Sequence, residues 1–111
     1  MISNELAREV SFLSSALNRQ IGLLINRKGE ISMIILGDAR SIFIPSLDAF
    51  RAASTRFRGL RLIHTHLTGE GLSEEDLTDL SHLRLDLIGA LQVREDGSPG
   101  KLFWAHLIPE N

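Results

Sequence analysis

Two apolar runs set back to back constrain this chain more than any other feature. They are Gln20 to Asn26 (QIGLLIN) and Glu30 to Leu36 (EISMIIL), separated only by Arg27-Lys28-Gly29. Short β-type runs joined by a short Gly-containing turn predict a β-hairpin. Both runs are nearly continuously apolar rather than alternating, so the sheet that holds them is expected to be covered on both faces. A hairpin here, and a second one near the C-terminus, exclude a simple doubly wound parallel sheet, whose strands are joined by crossovers.

The flanking segments complete the pattern. Asn4 to Leu17 carries Leu6, Val10, Leu13 and Leu17 at helical spacing, with Ser3 or Asn4 to cap it and Glu5 in its first turn. Gly37-Asp38 is a turn, Ser41 to Ile44 (SIFI) a third short strand that Pro45 ends, and Ser46 a cap for a helix from Leu47 to about Ala53. Leu60, Leu62 and Ile63 mark a buried strand. A helix follows from Glu74 to about Leu85, with Leu77, Leu80, Leu83 and Leu85 as its apolar stripe. Leu87 to Val93 is a strand, Glu95 to Gly100 a turn rich in Gly, Ser and Pro, and Leu102 to Ile108 the last strand. The order α-β-β-β-α-β-α-β-β gives a single layered α/β domain with a mixed central sheet, β-hairpins and helices on both faces.

Bulk properties narrow the function classes. A chain of 111 residues forms one domain with a core of its own. The absence of cysteine excludes disulfides, a thiolate nucleophile and Cys-type zinc or iron–sulfur sites, and fits a reducing cytoplasm. No apolar run reaches the roughly 20 residues needed to span a bilayer, so no membrane partner is expected. A formal charge of -2 argues against a nucleic-acid binder driven by whole-surface electrostatics.

The chemistry concentrates between Arg61 and Asp79 (RLIHTHLTGEGLSEEDLTD). Residues two apart on a strand share a face, so His64 and His66 project side by side while Thr65 points the other way. Gly69 and Gly71 interrupt the backbone before Ser73, a helix N-cap followed by Glu74, Glu75 and Asp76. Two imidazoles and a carboxylate from Asp76 suit zinc, with a fourth position left to water as in a catalytic rather than a structural site. The same residues also read without a metal: Ser73 and Asp76 form a variant capping box, and paired histidines at a strand end need no ion. His82 on the helix reads as a surface or edge residue, and His106 on the last strand as a further histidine that spacing does not place. Arg51, Arg56, Arg58 and Arg61 bunch around a Ser-Thr-Gly-containing segment. They form either an anion or partner patch or a solvated connection.

Two resemblances attach to these residues. The segment RQIGLLINRKGEISMIILGDARSIFIPSL, with RGLRLIHTHL, GLSEEDLTDL and HLRLDLIGAL, resembles the N-terminal region of bacterial GTPases of the HflX family, from about Asn18 to Pro109. That resemblance implies a cytoplasmic, ribosome-associated GTP-binding parent protein. In such a protein GTP binds a separate downstream domain, which this domain would accompany as a non-catalytic regulatory partner. A phosphate-cradling loop needs Gly-Lys-Ser/Thr at a helix start, and no such triplet occurs in the chain; Gly100-Lys101 is followed by Leu102. GTP hydrolysis by these residues alone is therefore not expected.

The second resemblance concerns fold. A hairpin, a helix, a strand ending in His-X-His, then Ser-X-X-Asp opening a helix is similar to JAMM/MPN and RadC-like domains. It implies zinc held by His64, His66 and Asp76, with Ser73 helping to polarise a substrate. The chain departs from that pattern in three ways. The loop between His66 and Ser73 is one residue shorter, Leu67 stands where proline is usual, and the neighbourhood of the family's catalytic glutamate reads Asn18-Arg19-Gln20-Ile21. A metal-bound water needs a carboxylate to accept its proton, which arginine and glutamine do not supply. Glu9 or Glu30 would substitute only if the fold brought one of them round. The remaining readings are a zinc-dependent hydrolase and a homodimerising α/β module that pairs through the apolar hairpin.

Overall fold

The computed structural model describes residues 2–38, 59–67, 71–82 and 84–106, apart from the side chain at 82. The predicted strand over 41–44, the helix over 47–53, Arg51, Arg56, Arg58, Gly69, Leu83 and the His82 side chain lie outside the described residues. Within them the elements are α1 (Asn4–Leu17), β1 (Ile21–Ile25), β2 (Ile31–Leu36), β3 (Arg61–His66), α2 (Glu74–His82), β4 (Leu87–Val93) and β5 (Pro99–His106).

The hairpin forms for local reasons. Asn26 turns its side-chain carbonyl back onto the amides of Lys28 and Glu30, each at 3.0 Å. Gly29 takes φ +86°, a backbone conformation that costs a residue without Cβ little. The five strands lie in the order β2-β1-β3-β4-β5. The β3/β4 pair is parallel and the other pairs are antiparallel, so the sheet is mixed, as the pattern of elements predicts.

Successive residues of the central strands feed two cores. Ile63, Leu23, Ile25, Leu87 and Leu91 pack with Ala7 and Val10 of α1 on one face. Leu62, Leu24, Ile88 and Leu85 pack with Leu80 of α2 on the other. Leu62, Leu85 and Ile88 are wholly inaccessible, and burying each side chain contributes about 1.5–3 kcal/mol. Helices on both faces of a mixed sheet make this a layered α/β domain. No described helix is long and apolar enough to cross a membrane.

α1 has its predicted bounds, with the Ser3 hydroxyl accepting the Leu6 amide at 3.1 Å and Asn18 closing the far end in the left-handed region. The face it buries differs from the expected stripe. Ala7, Val10, Ser11 and Ser14 are buried, whereas Leu13 and Leu17 are 52% and 47% exposed. The reason is polar: Ser11 donates to the Gly97 carbonyl at 2.8 Å, and Ser14 meets the Thr65 hydroxyl at 2.6 Å. Two hydrogen-bonded serines with small side chains let the helix approach the sheet more closely than leucines would.

Three further expectations need correction. Among the described residues β2 lies at the sheet edge with five of its six residues exposed, so there the hairpin is covered on both faces only along β1. Leu77, expected in the buried stripe of α2, is 48% exposed. That helix ends at His82, and Leu85 is buried beyond it, after Arg84 turns the chain at φ 55°. Finally, β5 starts at Pro99, where a missing N–H is tolerated at the first residue of an edge strand.

Candidate metal centre

The β3–α2–β4 crossover builds the site. Leu62, His64 and His66 share the α2 face of β3, and α2 starts directly after the loop that leaves its carboxyl end. That end of a strand in an α/β sheet is where ligands usually bind. The neighbours of His64 in the ladder are Gly22 on β1 and Ala90 on β4, two small residues that leave room for imidazoles. Thr65 faces the opposite side, as strand alternation requires, and accepts the Ile21 amide at 2.9 Å on the α1 side.

Asp76 arrives from the first turn of α2. Its carboxylate accepts the Ser73 amide at 2.9 Å while the Ser73 hydroxyl accepts the Asp76 amide at 3.1 Å. The capping box is therefore real, and it fixes the carboxylate over the strand end. His64 Nε2 lies 2.8 Å from Asp76 Oδ1, and His66 Nε2 lies 3.6 Å from Oδ2. The two imidazole centroids are 4.6 Å apart. All three residues are buried, and their ligand atoms fall within 4.8 Å of one another. The capping and metal-site readings, which the sequence poses as alternatives, use the same atoms without conflict.

The electrostatics favour an ionised carboxylate. Burial is the largest influence on Asp76 and pushes its carboxyl up. The adjacent His64 imidazole, the Ser73 amide and then His66 pull it down, and together they leave it below the ordinary carboxylate range. The ionised form is the one that ligates metals. His64 gives the clearest fit test. Both its ring nitrogens are buried without an aligned hydrogen bond, despite the short contact to Asp76. Leaving a buried polar atom unsatisfied costs about 1–3 kcal/mol. A cation shared by Nε2 and the carboxylate would satisfy Nε2, so the donor set fits a divalent ion held by His64, His66 and Asp76.

The carboxylates proposed as a proton acceptor do not reach this centre. Glu9 is exposed on α1, across the sheet. Glu30 sits in the β1/β2 turn beside the Asn26 side-chain amide, at the opposite end of the strands. Gln20 does come close in position: it continues the face of Gly22 and Leu24 one step beyond β1, and it is buried. His106 pairs with Leu87, five strand residues (roughly 16 Å) from the Gln92 that pairs with His66. Arg61 lies at the start of β3, far from the histidines, where it donates to the Asn26 carbonyl at 2.9 Å.

Sequence reasoning missed the hydroxyl pair behind the site and the ring beside it. A Cβ on Gly71, in the loop before α2, would stand 3.3 Å from the ring of Phe103 on β5, so that loop is packed against the sheet. The available signal for the hydroxyls was a pair of serines three apart on α1, at 11 and 14, which a count of apolar residues ignores.

Comparison of the chain with protein-family models, characterised proteins and solved structures returned no match.

Proposed function

We propose that this chain is a non-catalytic accessory domain of an HflX-type, ribosome-associated GTP-binding protein. On this reading a JAMM/RadC-like scaffold keeps a divalent ion, zinc by its donor set, on His64, His66 and Asp76. The observation that carries the non-catalytic reading is the make-up of the site face. Three metal-capable side chains converge there, yet the buried residue that continues the β1 edge is Gln20, not a carboxylate. A glutamine donates and accepts hydrogen bonds but does not take a proton from a metal-bound water at neutral pH. Glu74 and Glu75 in the same helix turn are exposed. The ion would then fasten the β3–α2 connection and present one face of the domain in a fixed shape.

The family assignment rests on the motifs from Asn18 to Pro109, and GTP chemistry would belong to residues outside these 111. The test is to remove this domain from a parent GTPase. Hydrolysis by the remaining protein should persist while its cosedimentation with ribosomes or its ribosome-stimulated turnover changes. Loss of basal hydrolysis on removal, or no change in either ribosomal readout, would refute the proposal.

The convergence of the triad also favours a second reading, a zinc-dependent JAMM-like hydrolase. It requires peptide or isopeptide cleavage by the zinc-loaded chain that disappears in His64→Ala. The first reading predicts no such turnover.

A further inference from the structure

Gln20 is only 6% exposed, yet among the described residues its carboxamide makes no hydrogen bond. Its main chain is fully occupied on the β2 side. The Gly37 amide donates to its carbonyl and its own amide donates to the Asp38 carbonyl, each at 2.8 Å. On the β3 side the Ile21 amide donates to the Thr65 hydroxyl, so the two chains still run side by side at the start of β1. Strand alternation then keeps the Gln20 side chain on the α2 face with Gly22 and Leu24. Carried two residues on from the Gly22/His64 pair, the register sets Gln20 across from His66. Burying an amide without a hydrogen bond is unfavourable. A carboxamide kept that way beside three metal-capable side chains points to a ligand that supplies the bond.

We infer that this site binds a small carboxylate, one oxygen completing the coordination of the divalent ion and the other accepting a hydrogen bond from the Gln20 carboxamide. The inference rests on the metal-centre reading proposed above. Two neutral imidazoles, one carboxylate and a divalent ion leave a net charge of about +1 and a place for a fourth donor. A carboxylate matches that charge and brings two oxygens. Gln20 adds no charge of its own, and its NH2 group is a donor for the second oxygen. A glutamate at position 20 would instead cancel the positive charge and repel the ligand. His64, His66 and Asp76 are all buried, so only a compact group reaches them. Phosphate, bulkier and largely doubly charged at neutral pH, fits less well on both counts.

Cobalt(II) reports its own ligands through its visible absorption, so binding is read without any turnover. The full chain should take up one cobalt, and added acetate should then shift the visible bands until the shift saturates. N-acetylglycine separates the two sources of such a group: binding tighter than acetate assigns the carboxyl terminus of a peptide, and weaker binding a free short acid. Gln20→Leu should take up cobalt as the parent does but bind acetate roughly tenfold more weakly, the loss expected for one hydrogen bond to a charged group. Gln20→Glu should lose the acetate response altogether. An acetate shift equal in all three cobalt-loaded proteins, or absent from all three, would overturn the inference. So would a response to phosphate and not to acetate, or loss of cobalt uptake from Gln20→Leu. No cobalt uptake by the parent chain would overturn the metal centre itself and the inference with it, which tells the two failures apart.

Discussion

Replacing Thr65 by valine should destabilise the fold by about 2–4 kcal/mol and loosen the strand end that carries the histidines. The magnitude follows from the directions of three hydrogen bonds. The Arg19 carbonyl only accepts, so its partner Ser14 must donate to it. Ser14 Oγ therefore accepts from the Thr65 hydroxyl at 2.6 Å, and Thr65 Oγ1 in turn accepts the Ile21 amide at 2.9 Å. The chain Ile21 N–H, Thr65 O–H, Ser14 O–H, Arg19 C=O is satisfied link by link, and such chains reinforce themselves in a low-dielectric interior. Valine keeps the shape but orphans the Ile21 amide in the core, which costs about 1–3 kcal/mol, and removes one further bond worth about 1 kcal/mol. For a domain of this size that lowers Tm by roughly 8–17 °C. Thr65→Ser retains the hydroxyl and should lose no more than about 1.5 kcal/mol for the missing methyl. Ser14→Ala should fall between them, because Arg19 is exposed and its carbonyl can be hydrated. The assay is urea denaturation with chelator present, so that metal binding does not contribute. A Thr65→Val variant within about 0.5 kcal/mol of the parent would refute the reasoning.

Further outcomes are expected elsewhere. Ser73→Ala removes the acceptor of the Asp76 amide and should cost about 0.5–2 kcal/mol, read by the same denaturation. Gly89→Ala places a Cβ 2.8 Å from Ile63 Cδ1 in the α1-side core, and should cost about 1–3 kcal/mol by overpacking. Asp86 is held below the ordinary carboxylate range chiefly by its hydrogen bond to Arg27, helped by the Gly59 amide. Its ionised form is thus favoured by folding. That stability is complete above the unfolded carboxyl's pKa of about 3.9 and is lost as pH falls through the lower folded value. Asp86→Asn should therefore flatten the acid limb of a plot of Tm against pH; an unchanged slope there would contradict the assignment.

The parts of the fold that were legible in sequence are those set by neighbouring residues. α1 begins at its cap, the first hairpin at its Asn-Arg-Lys-Gly-Glu turn, and α2 at Ser73, because each signal lies within a few residues of the element that it starts. His64, His66 and Asp76 were legible for the same reason, since one strand end and one helix start hold all three. What failed depends on partners far along the chain. Ser11 and Ser14 displace the leucine stripe of α1 because Ser11 donates to the Gly97 carbonyl and Ser14 accepts from the Thr65 hydroxyl, 86 and 51 residues away. The apolar run of β2 reads as a covered strand, whereas its place at the edge of the described strands follows from the strand order, with Ile34 exposed. That Glu9 lies across the sheet and Glu30 at the far end of its strands is likewise a matter of topology, invisible to spacing.

The central claim is that His64, His66 and Asp76 form one divalent-metal centre. Its most direct test is the metal content of the purified chain beside that of His64→Ala/His66→Ala, after zinc loading and dialysis against a weak competing chelator. The account predicts one zinc per chain, lost in the double variant, with a higher Tm for the loaded chain than for the stripped one. Zinc at equal stoichiometry in both proteins, or in neither, would contradict it.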